Sequence, residues 1–243
     1  MTRDPGTGVF VTGTDTAVGK TVVAHAIIRS LTKADLAVAC MKPVSAGSRE
    51  TADGLRNDDA LALMQAANVT AAYEAVNPYC FAAPIAPHIA ARDAGVVIDV
   101  ALIAKRFAAL ARAADCVVVE GAGGWLAPIG AHQTMADIAA VLALPVLLVV
   151  GLRLGCLNHA LLSARALAAH GPGLAGWIGN SIDPDFARRA DNLAALTELL
   201  GAPPLAVLPY APQAVNTQQL PAGFAAHLLA RLRSSVTQAR GLL

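Results

Sequence analysis

Short apolar runs alternate with segments of helical periodicity along most of the chain. Uncharged runs rich in β-forming residues occur at 9–11, 37–41, 116–119, 145–150, 174–178 and 205–208. Apolar residues recur every three or four positions, which predicts helices, over 20–31, 60–67, 99–114, 134–143, 156–169, 185–200 and 221–234. Strands that alternate with helices are typical of βαβ units. We therefore predict an α/β fold, a mostly parallel sheet with helices on both faces.

Two regions depart from this alternation. Residues 42–58 are the most polar part of the chain and carry no apolar period, so we expect a long functional loop there. Asp58 and Asp59 follow it and favour the start of a helix, because the helix dipole stabilises acidic residues at that end. Residues 77–92 contain three prolines and predict a loop that leads into a short helix after Pro87.

The composition limits the classes of partner. Hydrophobic residues make up 56% of the 243 residues and charged residues only 14%, so much of the chain must be buried in a core or against a partner. We expect a single domain over residues 1–243 and a homo-oligomer. The formal net charge of +1 provides no extended basic field, which argues against nucleic acid as the main partner.

The expected location is the cytoplasm. The four cysteines lie 36 to 40 residues apart without a CxxC pair, as expected for reduced thiols. The N-terminal MTRDPGTG lacks the apolar core of a signal peptide. The longest uncharged apolar run, 138–152, is interrupted by Pro145 and is too short to cross a bilayer. We therefore expect a soluble protein with no membrane partner.

Residues 9–31 combine a buried strand, a glycine-containing turn and a helix. Unpaired N–H groups and the positive end of the dipole make such a helix start suitable for a polyphosphate. In a P-loop, Lys20 would contact the β- and γ-phosphates and the Thr21 hydroxyl would bind Mg²⁺. Thr14 stands at the usual first glycine position, one place after Gly13. The strand, turn and helix context predicts a P-loop NTPase fold that binds a nucleotide.

The carboxyl ends of the predicted strands gather the polar residues of the chain. Ligands of parallel sheets bind beyond these ends, so one edge of the sheet should carry the site. The segments expected there are 13–21, 42–48, 120–125, 151–158, Asn180 and Pro209.

Three oxygen-bearing side chains at this edge are candidate Mg²⁺ ligands: Thr21, Asp59 and Glu120. Glu120 follows the apolar run CVVV, as a Walker B acid does. Either acid could instead cap a helix or face solvent. Lys42 would be a second cation of the site, able to stabilise a transferring phosphoryl group, although a lysine after a strand can also be a solvated surface residue.

The chain resembles the ATP-dependent dethiobiotin synthetase family over about residues 8–210. The resemblance rests on FVTGTDTAVGKT, MKPV, GLRNDDALAL, VNPYCF with APHIAA, VEGAGGW, LGCLNHA and GWIGN, in this order. It implies a homodimer that uses Mg²⁺ and ATP to join CO₂ to 7,8-diaminononanoate (7,8-diaminopelargonate). A carbamate would be phosphorylated by ATP, and the second amine would then close the cyclic urea and release phosphate.

The resemblance also implies roles for individual residues. Lys42, Lys20 and Thr16 would act in catalysis, and Thr21, Asp59 and Glu120 would hold Mg²⁺. The nucleotide would be bound by Ala17, Val18, Gly19, Lys20, Thr21, Val22, Asp59, Glu120, Gly121, Ala122, Gly123, Asn180, Pro209, Tyr210 and Ala211. The substrate would contact Ser45, Ala46, Gly155, Cys156, Leu157 and Asn158, the last four across the dimer interface. The order Ser45-Ala46-Gly47 departs from the family pattern, in which the hydroxyl residue directly precedes the glycine.

Two alternatives have different outputs. A partitioning or membrane-positioning ATPase would share the P-loop, but such proteins usually carry a lysine where this chain has Asp15. The C-terminal segment with Phe224, Leu228 and Leu232 could mimic a membrane-seeking helix, although we expect it to pack on the protein. An amide-forming ligase of cobyrinate type would normally bring a glutamine-hydrolysing domain, for which this chain has no room.

Overall fold

Six strands form the central sheet, and helices follow most of them along the chain. The computed structural model describes residues 8–211 and 218–240. The first seven residues, on which the expected lack of a signal peptide depends, lie outside this part. The elements are β1 (Gly8–Gly13), α1 (Lys20–Thr32), β2 (Val38–Met41), β3 (Val44–Ser45), β4 (Arg49–Thr51), β5 (Gly54–Arg56), α2 (Asp58–Ala66), α3 (Tyr73–Val76), β6 (Tyr79–Cys80), α4 (Pro87–Asp93), α5 (Val100–Ala113), β7 (Cys116–Gly124), α6 (Met135–Leu142), β8 (Val146–Leu152), α7 (Cys156–His170), β9 (Leu174–Ser181), α8 (Arg189–Leu200), β10 (Ala206–Leu208) and α9 (Phe224–Arg240).

The central sheet has the strand order β10-β9-β8-β1-β7-β2, and each neighbouring pair in it is parallel. The prediction of a mostly parallel α/β sheet is confirmed. Because every strand points the same way, the ends of β1, β2, β7, β8 and β9 meet at one edge.

Two hydrophobic layers cover the sheet. On β8, Leu148 and Val150 pack with the layer formed by α5, α6, α7 and α8. Leu147 and Val149 point to the opposite layer, which contains α1, α2 and α9. Both faces of this strand are therefore buried, which explains why its sequence shows a continuous apolar run instead of an alternating pattern.

The polar segment 42–58 is more ordered than a long loop. It contains β3, which pairs with β6, and the antiparallel hairpin of β4 and β5. The prediction of one long loop over 42–58 is therefore wrong, while the functional role expected of the segment stays a prediction. Strands of two or three residues are too short to show a hydrophobic period, which is why the sequence pattern missed them.

Several predicted boundaries also change. β7 continues beyond residue 119 through the glycines to Gly124, because Gly13 of β1 pairs with Gly124 after an irregularity in register. β8 and β9 are likewise longer than predicted, since they pair up to Leu152 and Ser181. α8 begins at Arg189 and not at residue 185.

The C-terminal helix packs on the protein as expected. Phe224, Ala225, Leu228 and Leu232 of α9 are buried in the same layer as α1. The apolar face that could have mimicked a membrane-binding helix is thus used inside the fold. No helix within residues 8–211 and 218–240 has the length and hydropathy that crossing a bilayer requires.

The two-layer arrangement predicts that truncating two leucines of the same helix lowers the stability of the protein by unequal amounts. Leu196 of α8 is fully buried, whereas Leu199 is 46% exposed. We expect Leu196→Ala to lower the free energy of unfolding by about 2–5 kcal/mol, because it leaves a cavity. The matched control Leu199→Ala should cost less than about 1 kcal/mol. Urea denaturation of both variants measures the difference, and equal losses would contradict the assigned packing.

Candidate active site

The loop between β1 and α1 is braced by the end of β9. It passes through two left-handed residues, Ala17 with φ 58° and Gly19 with φ 87°. A Cβ on Gly19 would lie 2.1 Å from Asn180 Nδ2, so only glycine fits there. The same Asn180 amide donates to the Val18 carbonyl oxygen over 2.9 Å. The structure therefore brings Asn180 onto the P-loop, 162 residues away along the chain.

Lys20 begins α1 and its ammonium group lies against the P-loop. Its Nζ donates to the Asp15 carbonyl oxygen over 2.9 Å. The Asp15 carboxylate accepts hydrogen bonds from the Thr16 backbone N–H at 2.7 Å and from Arg153 Nη2 at 2.6 Å. Burial, and then repulsion from Lys42, lower the pKa of Lys20 to about 8. An anion bound in the loop would favour the charged form of this lysine.

Lys42 lies buried between two carboxylates that come from different elements. Its Nζ is 2.7 Å from Glu120 Oε1 of β7 and 3.0 Å from Asp59 Oδ2 of α2. The Thr21 hydroxyl donates to the same Glu120 oxygen over 2.8 Å. The alternatives of a solvated lysine and a solvent-facing acid are thereby excluded for Lys42 and Glu120, which are 4% and 0% exposed.

The charges of this cluster support one another. Burial alone lowers the pKa of Lys42, but attraction to Glu120 and Asp59 outweighs it and the pKa of Lys42 lies above its ordinary value. Burial opposes ionisation of Asp59, yet Lys42 lowers the pKa of this carboxyl. For Glu120, burial is the larger effect and raises the pKa of the carboxyl, against the attraction of Lys42. The ammonium group thus compensates charge that would otherwise be costly to bury.

The donor set suits Mg²⁺. Thr21, Asp59 and Glu120 offer hard oxygen ligands, and Glu120 Oε2 is buried without a hydrogen-bond partner. Mg²⁺ bound with a nucleotide usually needs one or two carboxylates, with phosphate and water completing its ligands. Within the described residues, no group of three or more His, Cys, Asp or Glu side chains is arranged to hold a metal ion by itself.

Close neighbours explain why glycines occupy the end of β7. A Cβ on Gly121 would lie 3.1 Å from the Phe10 ring, and a Cβ on Gly123 would be 3.8 Å from the Thr16 hydroxyl. The Ala122 N–H donates to Met135 Sδ over 3.5 Å. The structure therefore brings Gly123 beside Thr16 of the P-loop, and Gly121 and Ala122 precede it in β7.

The segment after Lys42 is tied to the protein interior. Ser45 is 1% exposed and its hydroxyl donates to Asn77 Oδ1 over 2.8 Å. The Ala46 carbonyl oxygen accepts a long 3.5 Å bond from Asn57 Nδ2. The Ser45 hydroxyl is therefore used in a hydrogen bond within the protein interior, and its contact with the substrate stays a prediction.

The remaining predicted residues flank this cluster. Gly155 adopts a left-handed conformation with φ 92° and precedes α7, which starts at Cys156. Leu157 and Asn158 are in the first turn of this helix, and Arg153, two residues before Gly155, joins the segment to the P-loop through Asp15.

The segment directly after β10 contains three of the residues predicted to bind the nucleotide, Pro209, Tyr210 and Ala211. The Pro209 carbonyl oxygen accepts a hydrogen bond from Gln218 Nε2 over 3.1 Å. Tyr210 is 42% exposed, and Ala211 is the last described residue before 218. Val22, in the first turn of α1, packs partly buried against the layer that contains α1.

Sequence reasoning missed three side chains next to the cluster. Asn77 and Tyr73 hold the main chain around Lys42 and the start of α2, and Arg153 pairs with Asp15. VNPYCF and LGCLNHA marked the neighbourhoods of these residues, but no sequence spacing connects them with their partners.

The chain is similar to known proteins in sequence and in fold. A family model described as an AAA domain matches residues 7–218. In the fold comparison, the chain is similar to the MinC:MinD cell division protein complex of Aquifex aeolicus, with a TM-score of 0.56, 16% identity and 96% of each chain covered. It is also similar to a ParA family ATPase from Chlorobium tepidum, with a TM-score of 0.53 and 13% identity over 99% of this chain and 100% of that one. These two likenesses confirm the P-loop NTPase fold and carry no function.

The curated relatives are much closer in sequence. The ATP-dependent dethiobiotin synthetase of Pseudomonas aeruginosa is 50% identical over 220 residues, which cover 90% of this chain and 94% of the relative. ATP-dependent dethiobiotin synthetase 1 of Salmonella typhi is 47% identical over 83% of this chain and 88% of the relative. Identity of this extent over nearly whole chains shows that the protein belongs to the ATP-dependent dethiobiotin synthetase family.

Proposed function

We propose that the protein uses ATP to join CO₂ to 7,8-diaminononanoate, forming dethiobiotin, ADP and phosphate in the penultimate step of biotin biosynthesis. The observation that carries this proposal is the buried Lys42 ammonium, 2.7 Å from Glu120 and 3.0 Å from Asp59, at the edge of the sheet where the P-loop lies. Membership of the family indicates which substrates to expect. The cluster provides the charged groups that such a reaction needs.

ATP would enter with its phosphates on the P-loop N–H groups and Lys20. The nucleotide would also contact the loop and first helical turn from Ala17 to Val22, the strand end from Gly121 to Gly123, Asn180, and the segment from Pro209 to Ala211. The P-loop, with Ala17 and Gly19 in left-handed conformations, is held by Asn180 before the nucleotide binds. Little of the binding free energy is therefore lost to ordering the loop.

Thr21, Asp59 and Glu120 would hold the Mg²⁺ that accompanies ATP. The ion would supply positive charge to the phosphate oxygens during transfer. The Lys42 ammonium, which faces two of these three residues in the structure, would contact the transferring phosphoryl group. This exchange of partners needs no change in the sheet, because Lys42 is a flexible side chain on a fixed strand end.

The substrate would bind beside Thr16, in reach of Ser45 and Ala46. The N-terminal turn of α7, from Gly155 to Asn158, would receive the substrate carboxylate from the second protomer of a homodimer. Exposed Leu154 and Leu162, at 89% and 59%, support burial of this region against another subunit. We place the reaction in the cytoplasm, where the four free thiols, all in described residues, would stay reduced.

The proposed reaction has three steps: formation of a carbamate, its phosphorylation and closure of the ring. One substrate amine adds to CO₂ and gives a carbamate with loss of a proton. A carbamate oxygen attacks the γ-phosphorus, ADP leaves, and Lys20 and Lys42 stabilise the negative charge on the phosphoryl oxygens. The second amine then attacks the carbonyl carbon of the mixed anhydride, and phosphate leaves as the C–N bond forms and the amine loses its proton. Positioning and electrostatics carry these steps, and no side chain is covalently modified.

The direct test is the formation of the product. We expect mass spectrometry to detect the cyclic urea after incubation of the protein with MgATP, bicarbonate and the diamine, and phosphate release to depend on all three. Phosphate release that ignores the diamine but responds to lipid vesicles would instead support a positioning ATPase and would overturn the proposal.

Lys42→Ala tests the residue at the centre of the cluster. We expect MgATP to bind with nearly unchanged affinity while kcat for ring closure falls by about 100-fold or more, because a charge contact to the transferring group is lost. Lys105→Ala, on an exposed position of α5, is the matched control and should turn over normally.

The same variant separates stability from catalysis. Without ligand, Lys42→Ala leaves Glu120 and Asp59 uncompensated and should lower the melting temperature. MgATP should reduce this loss, since the metal would replace the missing charge. Normal ring closure by Lys42→Ala would remove this lysine from the mechanism.

A further inference from the structure

Both main-chain polar groups of Lys42 are held by one short segment. The Lys42 N–H donates to the Val76 carbonyl oxygen over 2.9 Å. The Lys42 carbonyl oxygen accepts from Asn77 Nδ2 over 2.6 Å. Lys42 follows the last residue of β2, so these bonds fix the backbone at the point where the ladder with β7 has ended.

The Asn77 side chain has no freedom to rotate without loss. It is 2% exposed, and its Oδ1 accepts from the hydroxyls of Ser45 at 2.8 Å and Tyr73 at 2.9 Å. Its Nδ2 also donates to the Tyr79 carbonyl oxygen over 3.3 Å. Two lone pairs and two N–H groups are the full capacity of an amide, so this side chain is saturated.

Tyr73 extends the contacts to the helix that carries Asp59. Its hydroxyl accepts a 2.7 Å hydrogen bond from the Asn57 N–H. Asn57 is the N-cap of α2, and its Oδ1 accepts from the Ala60 N–H over 3.2 Å. The Arg56 guanidinium lies 4.2 Å from the centre of the Tyr73 ring and packs on it. Tyr73 therefore fixes the first turn of α2, which presents Asp59.

These contacts close a ring: from the Lys42 backbone through Asn77 and Tyr73 to Asn57, along α2 to Asp59, and back to Lys42 Nζ. We propose that Asn77 and Tyr73 are positioning residues that hold the backbone of Lys42 and the first turn of α2, which carries Asp59, at a fixed separation. Neither residue contacts the reacting groups in this account. Their effect on the rate rests on the proposed function, since it acts through the lysine and the metal-binding acid.

The reason for such a ring is the flexibility of lysine. A four-carbon side chain reaches many positions, and a small misplacement of a catalytic group can cost about 100-fold in rate. Asn77 holds the backbone of Lys42 directly and the start of α2 through the Tyr73 hydroxyl, and this restricts where the ammonium and the carboxylate can meet. The ring thereby sets the geometry of the site in the absence of ligand.

The test uses Tyr73→Phe, which deletes one hydroxyl, and Asn77→Asp, which keeps the shape but removes the Nδ2 donor to Lys42. Asn68→Asp is the matched control. Asn68 bonds the main chain at the other end of β2, accepting from the Val38 N–H at 2.7 Å and donating to the Leu36 carbonyl oxygen at 2.9 Å.

We measure kcat relative to the concentration of protein that binds MgATP, so that unfolded protein does not count. We expect kcat to fall by about 10- to 100-fold for Asn77→Asp and by about tenfold for Tyr73→Phe. The KM for ATP should change less than about twofold, because the P-loop is untouched. In the double variant the losses should be less than multiplicative, since both residues act through one ring. Asn68→Asp should keep the kcat of the wild type even where its melting temperature falls equally.

A second readout does not depend on the reaction. In the protein without ligand, amide hydrogen exchange at Ala60 and Leu61 should increase several-fold in Tyr73→Phe, which removes the acceptor of the Asn57 N–H, and stay at the wild-type rate in Asn68→Asp. Asn77→Asp keeps an oxygen acceptor for the Tyr73 hydroxyl, so its exchange at these two amides should rise less. Unchanged exchange in Tyr73→Phe, or wild-type kcat in both ring variants, would overturn the positioning role. If the wild type itself made no cyclic urea, the proposed function would fail, while the exchange would still decide whether Tyr73 holds α2 in place.

Discussion

The structure depends on keeping a buried positive charge between two acids at the edge of a parallel sheet. Lys42 and Glu120 are almost fully excluded from water, and ions so placed are costly to bury unless each has a partner. Three separate parts of the chain supply these charged groups: Lys42 directly after β2, Glu120 within β7, and Asp59 in the first turn of α2. The arrangement of the fold around this edge is therefore also the arrangement of the site.

The surrounding contacts explain how this charge cluster can work with a polyphosphate. Lys20 lies on the P-loop with a lowered pKa, and Thr21 shares the Glu120 oxygen that Lys42 contacts. The unpartnered Glu120 Oε2 leaves capacity for a further cation. The two ammonium groups and the two carboxylates of the site carry equal and opposite charge. The anionic phosphates would bind together with their metal ion, which would keep the net charge of the site low. Lys42 would then change partners while its backbone stays fixed by Asn77.

Much of this could be predicted from the sequence, for physical reasons that also limit the prediction. Strands buried on both faces leave uninterrupted apolar runs, so the sheet and the strand ends that carry Lys42 and Glu120 were predictable. The short strands in 42–58 were not, because two or three residues show no period. The pairing of Arg153 with Asp15 links residues 138 positions apart through side chains alone, and the Asn77 bonds leave no periodic signal either.

Lys42 Nζ contacts two of the three residues expected to hold the metal, so we expect it to change partners when the metal and the phosphates bind. A crystal structure of the protein with Mg²⁺ and a non-hydrolysable ATP analogue tests it most directly. The account predicts a metal ion held by Thr21, Asp59 and Glu120, with Lys42 Nζ moved from these carboxylates to the γ-phosphate. A metal bound elsewhere, or Lys42 still between Glu120 and Asp59 with the phosphates out of its reach, would contradict the account.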